Sequence, residues 1–328
     1  MKTIVRIVKT AMNSIPIIFN EHQINRTVLG GAQNSLDSKM PVSVILLNSG
    51  GNHSRIQNLE NLENCGFEKI ISMETNSENY NFEDFVKQFP SVKFIIPHEE
   101  VTDGELINIG MQEVESDYVL VLRDTIQITN VILKSNVAQK LVEKNNCCYV
   151  PRIYIDKNQP VIVNFLPSVN KGVFSVDVSE NIYEDCPTLF PLDYIGLYNR
   201  KKFIQLGGFD YTIKSPYWQN LDFSFRAWLW GEKISITTSF NLSYSLEEPL
   251  ANITSDVYQF RFYLKNLLPV FKFDHGEITI TSIFRTLFRS SCGFIETIRQ
   301  FNDARNWVKK NQYRFKRDGV DLLVNWGK

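Results

Sequence analysis

The sequence has no apolar run long enough to cross a bilayer, and Ile15-Pro-Ile-Ile-Phe19 is far too short to do so. The Met-Lys start is not followed by an apolar core with a small-residue cleavage site, so no secretory signal is expected. Cysteine is scarce and odd in number: Cys65, Cys147, Cys148, Cys186 and Cys292, with no Cys-x-x-Cys pair. That pattern argues against a disulfide framework or a zinc ribbon, and it fits reduced thiols in the cytoplasm. The four histidines (His22, His53, His98, His275) lack metal-ligand spacing. There is no Gly-x-Ser-x-Gly elbow, so a hydrolase triad is not expected. A formal net charge of −1 excludes bulk attraction to nucleic acid.

What is present is a chain of 328 residues, 43% hydrophobic, enough for a full core. Its near-zero charge hides an asymmetry. Acids dominate from Glu60 to Asp117, and bases dominate from Arg285 to Arg317. Between Pro41 and Leu122, short β-rich runs alternate with helical ones. Val42–Leu47, Lys69–Met73, Val92–Ile96 and Tyr118–Leu122 read as buried strands. Ile56–Leu62, the Phe82/Phe85/Val86/Phe89 face stopped by Pro90, and Leu106–Val114 with Asp103 as N-cap read as helices. This alternation predicts an open parallel sheet that binds ligands at its strand carboxyl ends.

Beyond Thr125 the pattern loosens. Ile132–Val142 reads as a helix, Cys148–Ile155 and Val161–Phe165 as strands, and Lys171–Pro191 as a loop-rich stretch. Asp193–Tyr198 reads as a strand. The first forty residues are an extension with no assigned structure, either a strand pair or an arm. The chain after Ile253 reads as mostly helical, and its stretch 283–317 as a basic amphipathic region that either packs on the domain or docks on an anionic membrane.

The most specific pattern lies between Asn199 and Ile234. Leu206-Gly-Gly-Phe-Asp210 is followed by Trp218-Gln-Asn-Leu-Asp222, then Arg226 and Gly231. This resembles the acceptor-side signature of family-2 glycosyltransferases of the GT-A fold. There a Leu-Gly-Gly-Phe-Asp turn precedes a helix opening Glu-Asp-x-Asp-x-x-x-Arg. The similarity covers about residues 41–246. It implies an α/β chain: a GT-A-like domain over 41–250 with a mostly parallel sheet, a helical C-terminal region over 251–328, and residues 1–40 outside both.

The resemblance also implies chemistry. Such enzymes transfer a sugar from a nucleotide-sugar donor to a glycan, lipid-linked or protein acceptor. Asn48, Ser49, Glu74, Ser77 and Asn108 fall at nucleotide-binding positions. Arg123, Asp124 and Thr125 fall where the family carries an Asp-x-Asp motif for Mn²⁺ or Mg²⁺, leaving Asp124 the one acid for a metal. Arg123 either pairs with an acid or replaces the metal at the diphosphate. Gln219 and Asn220 stand where the family has the acids that supply its base, and Asp222 remains as an acid, read as catalytic or as a first-turn charge. Asp193, Gly207, Gly208, Asp210 and Trp218 fall on the acceptor side. Two readings stay open: an active transferase with a metal-poor site, or an inactive relative serving as a binding or assembly module.

Overall fold

The structure, a computed structural model, describes residues 23–32, 40–49, 55–75, 82–129, 131–155, 159–244, 257–290 and 292–327. Its first half runs β1 (Arg26–Gly30), β2 (Val42–Asn48), α1 (Arg55–Asn64), β3 (Ile70–Glu74), α2 (Phe82–Gln88), β4 (Lys93–Pro97), α3 (Asp103–Glu113) and β5 (Tyr118–Arg123). The second part runs α4 (Ser135–Lys144), β6 (Cys148–Ile155), β7 (Gln159–Pro160), β8 (Asn164–Asn170), β9 (Val173–Ser179), β10 (Cys186–Pro187), β11 (Gly196–Asn199), α5 (Arg200–Leu206), α6 (Pro216–Leu229) and β12 (Ile234–Tyr244). The C-terminal region holds α7 (Val257–Phe262), β13 (Val270–Lys272), β14 (His275–Glu277), α8 (Ser282–Arg289), α9 (Phe294–Asn311) and α10 (Gly319–Val324).

The main sheet has the order β1-β4-β3-β2-β5-β11-β6-β12-β10, with β7 beside β6. Strands β4, β3, β2 and β5 are parallel, as buried β-α-β alternation requires. Strand β2 is buried on both faces along its whole length. Strand β11 inserts antiparallel to both β5 and β6. Strand β1 lies antiparallel on β4, so the sheet begins before residue 41. Of the first forty residues, those before Gln23 and 33–39 lie outside the described residues.

Several expectations need correction. The N-cap of α3 is Thr102, not Asp103. Thr102 and Glu105 form a reciprocal capping box that satisfies two backbone donors. The stretch Lys171–Pro191 is not loop-rich throughout, because β8 and β9 make a hairpin there. Its turn is Lys171-Gly172, both with positive φ (49° and 77°), the geometry that matches strand twist. The expected strand Val161–Phe165 is replaced by β7 and the start of β8. Asp193 precedes β11 in a 3-10 turn and is itself left-handed, at φ 50°. The C-terminal region contains the β13–β14 hairpin besides its helices.

The aromatic core gathers around Phe209. Its ring lies 4.7 Å from Phe223, 5.4 Å from Phe203 and 5.0 Å from Tyr194. Gly207 closes α5 in the left-handed region at φ 86°, and Gly208 follows at φ 66°, so the chain can turn Phe209 inward. The C-terminal region joins this core through charge. Lys265, in the π turn Tyr263–Leu267, reaches Asp210 at 2.7 Å and Asp222 at 3.0 Å. Asp222 also pairs with Arg226 and accepts a 2.8 Å hydrogen bond from Asn266. All five side chains are buried. Arg226 lies four residues beyond Asp222 on α6, the spacing at which opposite charges on one helix face pair. Asp222 lies past the first turn of α6, so it is not an end-of-helix charge.

Burial pushes the Asp210 carboxyl up, but Lys265 and two Thr212 hydrogen bonds outweigh it and hold it below the usual carboxylate range. Its stabilising effect is therefore present above the unfolded-chain pKa. It is lost as pH falls through the lowered folded value. Replacing Lys265 by Met leaves the buried Asp210 carboxylate without its cation, and we expect about 3–5 kcal/mol of lost stability by urea unfolding. A loss near 0.5 kcal/mol, the size of an exposed pair, would contradict this account.

Candidate active site

The carboxyl ends of β2, β3 and β5 lie side by side, with Asn48 opposite Glu74 and Leu47 opposite Arg123. In an open parallel sheet this edge is where ligands bind. Glu74 is buried and accepts hydrogen bonds from Arg55 (2.7 Å), Ser72 (2.6 Å) and Asn48 (3.5 Å). Burial pushes its carboxyl up, against the pull of Arg55. Arg55 in turn stacks over the Phe85 ring at 4.1 Å. Glu74 is thus held in a closed network. Ser77 lies outside the described residues.

Asp124 is also committed. It accepts from the Ser49 backbone N–H at 3.0 Å and from the Ser49 hydroxyl at 3.0 and 3.2 Å, tying the β2 end to the β5 end. Thr125 follows it in the turn after β5. Neither Asn108 nor Gln219 opens toward this edge. Asn108 clamps Phe209 by both its backbone groups, at 2.8 and 2.9 Å. Gln219 is fully buried. Its Oε1 accepts from the Gly104 N–H and the Tyr194 hydroxyl, each at 3.1 Å, and its Nε2 donates to Thr102 (2.9 Å) and the Asp210 carbonyl (3.0 Å). A Cβ at Gly104 would lie 2.3 Å from Gln219 Oε1, so only glycine allows that approach.

Asn220 donates from Nδ2 to the Pro191 carbonyl at 2.7 Å, and its buried Oδ1 has no hydrogen-bond partner. Trp218 is buried against Phe262 at 5.6 Å, inside the core between α6 and α7. Of the acceptor-side residues, Asp193 is the one the fold leaves part-exposed and acidic. Arg123 Nε lies 2.6 Å from Asp193, and Arg123 Nη2 pairs with Asp103 at the start of α3. One guanidinium thus bridges two carboxylates from separate elements, all three partly open to solvent.

Burial is the largest effect on Asp193, and it pushes the carboxyl up to about 6. Arg123 opposes this, while Asp103 and Asp124 add repulsion. Sequence reasoning put Arg123 in play but missed Asp103, Arg55, Lys265 and Asn266. For Asp103 a signal existed: Thr102-Asp-Gly-Glu105 is a capping-box pattern that fixes the helix start beside the strand end. No local pattern points to Lys265.

No protein-family model matches the sequence, and no curated protein does. Solved structures do. GalNAc-T7, seen with UDP, GalNAc and Mn²⁺, superposes with a TM-score of 0.51 at 13% identity, over 81% of this chain and 55% of that one. TarS of S. aureus, residues 1–349 with UDP-GlcNAc, gives 0.49 at 13% identity, over 81% and 71%. The mannosyltransferase PcManGT from Pyrobaculum calidifontis, with GDP-Man and Mn²⁺, gives 0.44 at 7% identity, over 82% and 69%. The fold is GT-A. The chain spans about half the length of GalNAc-T7.

A metal fits the observed residues poorly. Asp124 already accepts from Ser49 by both carboxylate oxygens, and Arg123 brings a positive charge beside it. Among the described residues no group of three or more His, Cys, Asp or Glu side chains is arranged to hold an ion.

The wiring of Gln219 predicts the effect of restoring an acid. Gln219→Glu sets a carboxylate oxygen 3.0 Å from the Asp210 carbonyl, where the amide now donates. We expect a loss of about 1–3 kcal/mol, read as a lower unfolding temperature, with no gain of donor turnover. Higher turnover in that variant would show that the position faces substrate.

Proposed function

We propose that the chain is a glycosyltransferase-like enzyme. It takes a nucleotide-sugar donor and moves the sugar to a hydroxyl acceptor, with Asp193 as base and Arg123 as the group that orients it. The observation carrying this reading is the Arg123–Asp193 pair at the carboxyl end of β5. Asp210 and Asp222 are taken up by buried partners and Asp124 by Ser49, whereas Asp193 keeps a part-exposed carboxylate with a raised pKa. The UDP held by GalNAc-T7 makes a uridine nucleotide the first probe. The five cysteines are unpaired, which supports a cytoplasmic location. No helix among the described residues is long and apolar enough to cross a membrane.

In this reading the acceptor oxygen bonds to the anomeric carbon as the bond from that carbon to the diphosphate breaks. The acceptor proton passes to Asp193 and the nucleoside diphosphate leaves. Before transfer, one guanidinium faces two carboxylates and the trio is net negative. Once Asp193 takes the proton, the trio is neutral, so its repulsion toward the departing diphosphate falls as that charge develops. Proton transfer and charge relief are one event here. No carboxylate-held metal is part of the step.

A second reading is a binding or assembly module without turnover. The saturated hydrogen bonding of Gln219 favours it, since that amide holds structure where the family carries an acid.

Turnover separates the two readings. Donor consumption should rise as pH passes upward through about 6, where Asp193 ionises, and then level off. Asp193→Asn should lower the rate about 10²–10⁴-fold with nucleotide binding retained, and asparagine tolerates the left-handed backbone there. Mn²⁺ or a chelator should change nucleotide affinity little. Binding without turnover of UDP- or GDP-sugars supports the second reading, and a strong Mn²⁺ requirement would refute the metal-free site.

A further inference from the structure

Helix α8 is turned outward. Thr286 is fully buried and donates to the Ser282 carbonyl at 2.9 Å, while Phe284 and Phe288 are 68% and 93% exposed. Ile280, in the turn before α8, continues the stripe one turn earlier at 65%. The helix packs on α9 through a short turn pinned by Ser290 and Thr297, whose hydroxyls are 2.6 Å apart. At the start of α9, Phe294 and Ile295 are 66% and 82% exposed. One helical hairpin thus offers five large apolar side chains to solvent. Scattered exposed apolar residues are ordinary, but a stripe of this kind marks an interaction surface.

Charge selects the partner. From residue 278 to residue 295 there is no acid, and the only charged residues are Arg285 and Arg289. Arg285 is exposed and follows the exposed Phe284 by one position, so a positive charge lies beside the apolar stripe. The flanking acids are neutralised: Glu277 pairs with Lys272, and Glu296 pairs with Arg299 at 2.8 Å. A second copy of this chain on the patch would bring arginine toward arginine with no acid to match. An anionic bilayer surface meets both demands, taking the aromatic rings at the acyl boundary and Arg285 at its headgroups. An eight-residue helix lies on such a surface and does not span it.

We propose that the α8–α9 hairpin docks the protein on anionic lipid. This surface is separate from the Arg123–Asp193 site and stands whether or not that site turns over a donor. The test is flotation of the full chain with phosphatidylcholine vesicles, with and without phosphatidylglycerol, at low and high salt. We expect flotation with the anionic vesicles alone, reversed by high salt. Inorganic phosphate at matched ionic strength should not release the protein, which separates lipid headgroups from a free-phosphate site. Phe284→Ser with Phe288→Ser should abolish flotation while nucleotide binding is unchanged. Arg285→Glu should weaken it about ten- to thirtyfold. If the paired Phe substitutions lower the unfolding temperature, Phe294→Ser with Ile295→Ser probes the same surface. Absence of flotation at low salt overturns the proposal. So does equal flotation on neutral vesicles, or a concentration-dependent dimer that the Phe substitutions dissolve in place of lipid binding.

Discussion

A buried four-charge cluster holds this molecule together. Asp210 comes from the Gly-Gly-Phe-Asp turn, Asp222 and Arg226 from α6, and Lys265 from the C-terminal region. Two acids and two bases balance in charge, which is the condition under which buried ions are tolerated. The same Asp210 offers its backbone carbonyl to Gln219, and Gln219 grips the start of α3. One chain of contacts therefore runs from the C-terminal helices to the element that carries Asp103. The geometry of the Arg123 trio rests on side chains that never face solvent.

This explains why the signature looks catalytic in sequence yet holds the core together. Residue types that serve chemistry at a solvent-open edge serve packing once the chain closes over them. Asp222, Asp210, Asn108 and Trp218 are spaced as in the resemblance, but each has a buried partner. The polar group left over is Asp193, whose neighbours Arg123 and Asp103 arrive from elements 70 and 90 residues upstream in the sequence. Only folding brings such a set together.

Legibility followed local physics. Strands β2 to β5 were readable because a strand buried on both faces must be almost purely apolar, as Val42–Leu47 and Tyr118–Leu122 are. The break after Pro90 and the turn at Gly207-Gly208 were readable because those residues restrict or free the backbone. The β8–β9 hairpin was missed because Val169, Val173 and Val178 face solvent, which blurs the apolar–polar alternation. The site was half legible. Arg123 stood out as a departure from a pattern and Asp193 as an acid on the acceptor side, but the pairing between them, and the closing of Glu74 by Arg55, depend on which strand ends become neighbours. The second cation on Asp222, Lys265, was invisible, since a lone lysine in an aromatic-rich stretch carries no local sign of burial.

The position of β11 has a consequence for how the chain is made. Strands β5 and β6 flank a slot one strand wide, and the residues that fill it are some forty positions beyond β6. A nascent chain that has emerged only through β7 holds two facing edges with unpaired backbone groups. Such edges recruit strands from other molecules. Residues 160–195 must emerge before the slot can close. The interval between the synthesis of β6 and the arrival of β11 is thus the moment when this protein is most exposed to mispairing with its own copies.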